Sequence, residues 1–453
     1  MTLVRAEGPP ARPLFGHALE FLRDPLELMS KTARRYGRVS RLRMFDRELI
    51  MLTDPDDIER VLVKDAALFI KDKFTHDLSR ALGQGLVTAE GEHWKRQRRL
   101  TAFAFTPRRI AEYAETMAQV AAHESSSWAA GSVINLHHEM SRITLDVVAK
   151  VLFAADVEAE AHTVAEAMEV FNHFFAESIE AALRLPPWVP TPANIRFNRA
   201  VKRIDRVLFG IIRRRREETA RGAERANEQG ADLLGTLLAA QDDSGAGMSN
   251  RELRDECITL FIAGHETTAL ALTHALYLLA SAPDVRAEFH RELEAVLAGR
   301  TPSAEDAAAL ELTGRIVKEA MRIYPPVWVI GREALQDMEI RGVHIAKGTQ
   351  VVLPQWVVHR DPRFFPEPER FDPDRFLPER AASLPRFAYF PFGGGPRVCI
   401  GNHFAMMEAT LLLATFGQRF HFEPLAGERL EFRPSVTLRP KGEGLRVRLL
   451  RRG

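Results

Sequence analysis

The chain has 453 residues, 46% of them hydrophobic and 27% charged, with a formal net charge of +1. That composition is globular, with length enough for a large core, and its balance of charge argues against a partner that is nucleic acid or an anionic membrane surface. Two cysteines far apart in sequence rule out a disulfide framework and fit a reducing compartment.

The opening "MTLVRAEGPPARPLFGHALEF" has no signal-peptide core and no apolar run of the about 18 residues needed to span a bilayer. A soluble cytoplasmic protein without a transmembrane anchor is expected. "GRVSRLRM" and "RELIMLTD" read as short strands, and helical periodicity takes over from Asp56. Helices then dominate to Tyr324, interrupted at 185–194 and 241–250. Ser249 followed by Glu252 forms a capping-box pattern, which opens the long apolar segment "RELRDECITLFIAGHETTALALTHALYLLA". After "YPP" come strands and turns such as "MEIRGVHIAKGTQVVL", then irregular Pro- and Asp-rich chain over 361–391. A glycine-rich loop and the helix "HFAMMEATLLLATFGQRF" follow. There is no repeat and no long linker, so residues 1–453 are expected to form one domain, mainly α (α+β).

The loop reads "FGGGPRVCIG" and holds Cys399. A thiolate is a strong iron ligand if it is kept ionised and shielded. Bare glycine backbone turns N–H groups toward sulfur, and the helix that follows aims its positive end at the same atom. Arg397 offers a fixed cation for a carboxylate, and Phe392 is placed to cover the sulfur. Taken alone, the loop also reads as a Gly-rich turn with a buried cysteine. A phosphate loop is disfavoured because no Gly-Lys-Ser/Thr follows. Cys399 with His403 one helical turn on makes a poor nucleophilic pair, since no third group orients it.

Three other clusters carry chemistry. In "AGHETT", the small pair Ala263 and Gly264 lets helix backbone approach a flat cofactor, and Thr267 beside Glu266 supplies hydroxyl and carboxylate for proton relay. Read alone, the segment is also a polar kink in a core helix. In "KEAMRIYPP", Glu319 and Arg322 share a helix face, as a surface ion pair would. In "HWKRQRRL", Trp94 and Arg98 share a face from which both donors reach one carboxylate; a basic surface helix with one buried Trp is the alternative.

"FGGGPRVCIG" resembles the haem-binding signature of the cytochrome P-450 superfamily, with Phe392, Gly395, Arg397, Cys399 and Gly401 at every defined position. "AGHETT" is similar to the family's oxygen-activation motif, and the likeness runs from about Pro10 to the final strands. It implies the P-450 fold, a helical prism with small β-sheets and a haem between the long central helix and the cysteine loop. It implies haem b with Cys399 as the axial metal ligand. Ala263 and Gly264 would lie against the haem, and Trp94, Arg98, Arg332 and Arg397 would contact its propionates. Thr267 would hydrogen-bond dioxygen and Glu266, where the family often has Asp, would help deliver protons. Glu319, Arg322 and Arg375 would form a buried structural network.

The same likeness implies a monooxygenase that inserts one atom of dioxygen into a small apolar organic substrate. The acid–Thr pair favours this over peroxide-using or hydroperoxide-rearranging relatives. The chain after Cys399 is too short for a flavin or iron–sulfur module, so a separate ferredoxin or flavodoxin-type redox partner is expected, with the enzyme a monomer. Lys95, Arg96 and Arg99 are candidates for its docking face. The substrate pocket would draw on Gly85–Val87, Phe261, Ile262, Val327, Trp328, Val329, Ile330 and Val436, under a roof from 170–192. "AGHETT" and "HRDP" are most like fatty-acid-hydroxylating branches, which puts fatty acids slightly ahead of terpenoids and steroids, although Arg47 is the single candidate anchor for a carboxylate. His137, His138 and His173 read as incidental, and "RRRR" (213–216) as a solvated helix face. The competing classes are a haem-thiolate sensor, which has no need of Glu266 and Thr267, and, more remotely, a cysteine hydrolase without haem.

Overall fold

The computed structural model describes residues 5–153, 188–220, 232–442 and 444–452, with scattered residues between 163 and 175. The expected roof segment 170–192 lies largely outside them. Asp24 caps the first long helix by accepting the Glu27 N–H, and Pro25 fills a first-turn position that needs no donor. That helix, α1 (Pro25–Tyr36), leads into β1 (Val39–Met44) and β2 (Arg47–Leu52), the two strands read from the sequence, which pair antiparallel. Then come β3 (Phe69–Lys71), α2 (Gly91–Ala102), α3 (Pro107–Ser126), β4 (Val133–Asn135) and α4 (Leu136–Phe153). They are followed by α5 (Pro192–Ala220), α6 (Asn250–Ala280), α7 (Pro283–Leu297) and α8 (Glu311–Ile323).

Beyond Tyr324 the chain does change to strands: β5 (Ile330–Ala334), β6 (Met338–Ile340), β7 (Val343–Ile345) and β8 (Gln350–Leu353). After the cysteine loop come α9 (Asn402–Arg419), β9 (Phe420–Pro424), β10 (Phe432–Pro434), β11 (Leu438–Pro440) and β12 (Arg446–Arg451). The largest sheet runs β1-β2-β8-β5-β3. Its β3–β5 register sets Lys71 opposite Arg332.

The capping box on α6 is complete: Glu252 N–H donates to Ser249 Oγ at 3.2 Å, and Ser249 N–H donates to Glu252 at 2.8 Å. Past that cap the helix is buried on nearly every side, as expected for a central helix. Its first half, Leu253 to Phe261, packs with Leu100, Leu152, Phe197 and Ile204. Its second half, Ala269 to Leu279, joins a separate core with α3, α4, α8 and α9. Between the two halves lies "AGHETT". Phe171, Phe174 and Phe175, candidates for a roof, pack on Phe197 in the first core. No helix among the described residues is long and apolar enough to cross a membrane.

Candidate active site

A cavity of about 330 Å³ opens between the middle of α6 and the loop before α9, a size usual for a small-molecule site. On α6 the wall is made by Thr259, Leu260, Ala263, Gly264, Thr267, Thr268 and Ala271. These positions recur every three or four residues, so one helix face looks inward. Thr267 donates its hydroxyl hydrogen to the Ala263 carbonyl at 2.7 Å, which keeps the side chain on that face.

Across the cavity stand Phe392, Gly393, Arg397, Val398, Cys399 and Gly401. The Cys399 N–H donates to the Phe392 carbonyl at 3.0 Å, and Val398 N–H to Gly395 O at 3.1 Å, closing the loop on itself. At Gly395 φ is +65°, and a Cβ there would stand 1.8 Å from the Leu62 carbonyl oxygen, so the loop seats directly on its neighbour's backbone. Cys399 and Lys71 keep accessible surface, but both open into the cavity rather than bulk water. Burial accordingly pushes the Cys399 thiol up; the Gly401 N–H, Arg98 and Lys71 pull the other way.

Four cations ring this side: Lys71, Arg98, Arg332 and Arg397. Arg397 stacks on Trp94, 3.9 Å from its ring centroid, donates to the Ala89 carbonyl at 2.7 Å, and pairs with Glu90. Lys71 and Arg332 face each other across β3 and β5, and among the described residues neither has an acid within ion-pair distance. Burial, reinforced by Arg332 and Arg397, brings Lys71 down to about 7, and burial with Arg397 brings Arg332 to about 10. Like charges directly opposite in a sheet repel. A rim built this way fits a ligand that carries carboxylates, such as the propionates of a haem, set over a thiol that can ligate iron.

The structure therefore brings together Trp94, Arg98, Ala263, Gly264, Thr267, Arg332, Phe392, Arg397, Cys399 and Gly401, with Val87 and Val327 in the wall. It places the other candidates elsewhere. Phe261 is 1% exposed and packs against Phe153 and His265; it and Ile262 are rotated off the inward face that Leu260 and Ala263 share. Trp328 is buried with Met51 and Leu438, its Nε1–H donating to the Ser435 carbonyl at 2.9 Å. Val329 joins that same cluster, and Val436 packs on the core around Phe261.

Glu266 is buried at 3% exposure and also lies outside the cavity lining. It accepts from the Thr437 hydroxyl at 2.5 Å and pairs with Arg439, both in the β10–β11 hairpin. Burial pushes its carboxyl up, but Arg439 and Thr437 outweigh burial and hold it at about 2. Arg47 sits in a polar groove with Lys73, Glu333 and Lys347 that shares no residue with the main cavity. Lys95, Arg96 and Arg99 each pair with acids of the chain itself, Glu92, Asp242 with Glu252, and Asp243.

The structural network matches its expectation. Arg322 donates to both Glu319 oxygens at 2.7 and 2.8 Å and to the His359 carbonyl at 2.9 Å, while Arg375 stands 3.4 Å from Glu319. Glu319 and Arg322 are both 0% exposed. Lys71, Thr259 and Leu260 were missed in the sequence. For Lys71 the available signal was a lysine closing the apolar strand "LFIK".

Fold and site together define a haem-thiolate monooxygenase, and the chain belongs to the cytochrome P450 family, whose model matches residues 6–446. Among curated relatives it is 37% identical to cyclooctatin synthase of Streptomyces melanosporofaciens, over 95% of this chain and 93% of that one. It is 34% identical to pentalenene oxygenase of Streptomyces avermitilis, over 97% and 94%. Among solved structures, the heme domain of cytochrome P450DA superposes with TM-score 0.88 at 28% identity, over 100% of this chain and 99% of that one. A retinoic acid-bound cyanobacterial P450 superposes with TM-score 0.85 at 29% identity, over the whole of both chains.

Proposed function

We propose that residues 1–453 form one haem domain that hydroxylates or epoxidises an apolar terpenoid-like substrate, with Cys399 as the thiolate that would hold the haem iron. The observation that carries this is the Cys399 thiol facing a cavity rimmed by Lys71 and Arg332, which have no acid partner among the described residues, and walled opposite by Ala263 and Gly264. When bound, haem supplies dioxygen activation, and the thiolate favours O–O cleavage.

The chain's own residues do the rest. Lys71, Arg98 and Arg332 line the cavity where they would neutralise the carboxylates of a bound haem. Ala263 and Gly264 keep the helix backbone close, and Thr267 holds a hydroxyl proton at the cavity wall. Glu266, ionised and held at about 2 outside the cavity lining, is a poor carrier of protons near neutral pH; its bonds to Thr437 and Arg439 instead tie the β10–β11 hairpin to α6. Leu86, Val87, Leu152, Leu260, Val327 and Ile330 exclude water and receive the substrate.

Two things favour a terpenoid over a fatty acid. The cations that line the cavity gather around Cys399, and Arg47 stands outside, so among the described residues no cation waits for a carboxylate at the apolar end. Two of the curated relatives are named for terpenoids, one as the synthase of cyclooctatin and one as the oxygenase of pentalenene. We propose that electrons come from a ferredoxin- or flavodoxin-type redox partner, to an enzyme that acts as a monomer.

The test is a spectral titration of the haem-loaded ferric protein with terpenes, steroids and fatty acids, beside a Cys399→Ser variant. Terpenes should displace the iron-bound water at lower concentration than fatty acids. The variant should lose the red-shifted carbon-monoxide band of a thiolate-ligated haem. A Cys399→Ser protein that keeps this band ends the reading.

A further inference from the structure

The loop Gly83–Val87 sends Leu86 and Val87 into the cavity wall but carries no helix or strand of its own. Its backbone instead rests on α6. The Gln84 N–H donates to Asp255 Oδ2 at 2.8 Å, and the Leu86 N–H donates to Glu256 Oε2 at 3.3 Å. A Cβ at Gly83, where φ is +65°, would stand 2.2 Å from the Asp255 carboxylate. One at Gly85 would stand 2.2 Å from Thr259 Oγ1 and 2.5 Å from the Asp255 carbonyl oxygen. Only bare backbone fits, and alternate amides of the loop are taken up by consecutive acids of the helix.

We propose that Asp255 and Glu256 are positioning residues that latch the 83–87 loop onto α6 and thereby set the width of the substrate cavity at Leu86 and Val87. This rests on the reading of that cavity as the haem and substrate site. Asp255 is held in turn by Arg254 at 2.9 Å and Arg251 at 3.5 Å, which fixes one end of the latch. Glu256 is 0% exposed, and its Oε1 has no partner among the described residues. Burial first, then Asp255 and Glu252, push its carboxyl up to about 8, so at neutral pH it accepts the Leu86 N–H as an uncharged acid. Loss of that acceptor leaves a buried amide unpaired and frees the loop to move. A displacement of the size of one methylene in an apolar wall is enough to reorder which substrates fit.

The experiment measures binding of imidazole and of the wider 4-phenylimidazole to ferric, haem-loaded protein by the shift of the Soret band. It compares wild type with Glu256→Gln, Glu256→Leu and Gly85→Ala. Glu256→Gln keeps a neutral acceptor and should preserve the wild-type ratio of the two dissociation constants. Glu256→Leu and Gly85→Ala should change it about tenfold, the low end of what one methylene of wall is worth. An unchanged ratio in a well-loaded Glu256→Leu protein overturns the latch, and so does a Glu256→Gln change as large as that of Glu256→Leu. Where the Leu and Ala variants do not load haem, hydrogen exchange at Gln84 and Leu86 of the wild type decides. Protection supports the latch, and exchange at the rate of a free peptide overturns it. A wild-type protein whose Soret band neither azole moves brings down the underlying haem-site reading instead.

Discussion

Replacing Arg439 by methionine keeps most of the side chain's bulk and removes the cation that faces Glu266. The Glu266 carboxyl is held at about 2 against an ordinary 4.5, although burial alone drives it upward. At about 1.4 kcal/mol per unit, the net lowering favours the folded, ionised state by roughly 3 kcal/mol. Because the folded value lies below the unfolded one, that stability is fully present above pH 4.5 and is lost as pH falls toward 2. In Arg439→Met the carboxyl stays buried and still accepts from Thr437, but with the cation gone burial drives its folded value above 4.5. The sign then reverses: the variant gains stability on acidification through the new value, where the wild type gains none. With an unfolding entropy of about 2.1 cal/mol/K per residue, the loss at pH 7 amounts to more than about 3 °C in Tm. Thermal unfolding of the haem-loaded proteins from pH 4 to 8 reads both effects. Glu266→Gln in the same chain removes the stranded charge and should recover part of the loss, since two neutral partners cost less than one orphaned ion. An Arg439→Met protein that melts with wild type at pH 7, or a double variant no better than the single, refutes the argument.

Thr267→Ala removes the hydroxyl at the cavity wall and should lower product formed per electron consumed several-fold, with hydrogen peroxide making up the difference; an oxygen electrode with peroxide assay measures both. Gly395→Ala places a Cβ in a left-handed conformation, at a cost of about 1–2 kcal/mol, and drives it into the Leu62 carbonyl. Haem content per purified chain should fall sharply, as read by the ratio of Soret to protein absorbance. Arg322→Met strands the Glu319 carboxylate among the Asp372 N–H and Arg375, and breaking such a buried pair costs about 3–5 kcal/mol. The yield of folded protein should drop by more than for any substitution at the exposed Arg99.

Local spacing made the cysteine loop legible, because its chemistry lies within ten consecutive residues, and made α6 legible through Ser249 and Glu252. The inward face of α6 was not fixed to the residue. Phe261 and Ile262 differ from Leu260 and Ala263 by a step or two of about 100° each, and an all-round apolar helix gives no polar side from which to count. Glu266 was visible as an acid beside a threonine, but its partner Arg439 lies in a hairpin 173 residues away. Lys71 was missed for the same reason: its meaning comes from the β3–β5 register that sets it against Arg332. Arg322 with Glu319 was legible as a pair on one helix turn, and its burial came from the resemblance, since spacing alone is the same for a solvated pair.

The strand order β1-β2-β8-β5-β3 has a consequence for biosynthesis. Lys71 leaves the ribosome long before the β5 strand that it pairs with and longer still before Cys399. At about 5–20 residues per second, the nascent chain waits tens of seconds for the remaining walls of the site. Haem capture therefore waits until Cys399 has been made, and cells short of haem should accumulate chain that lacks the cofactor.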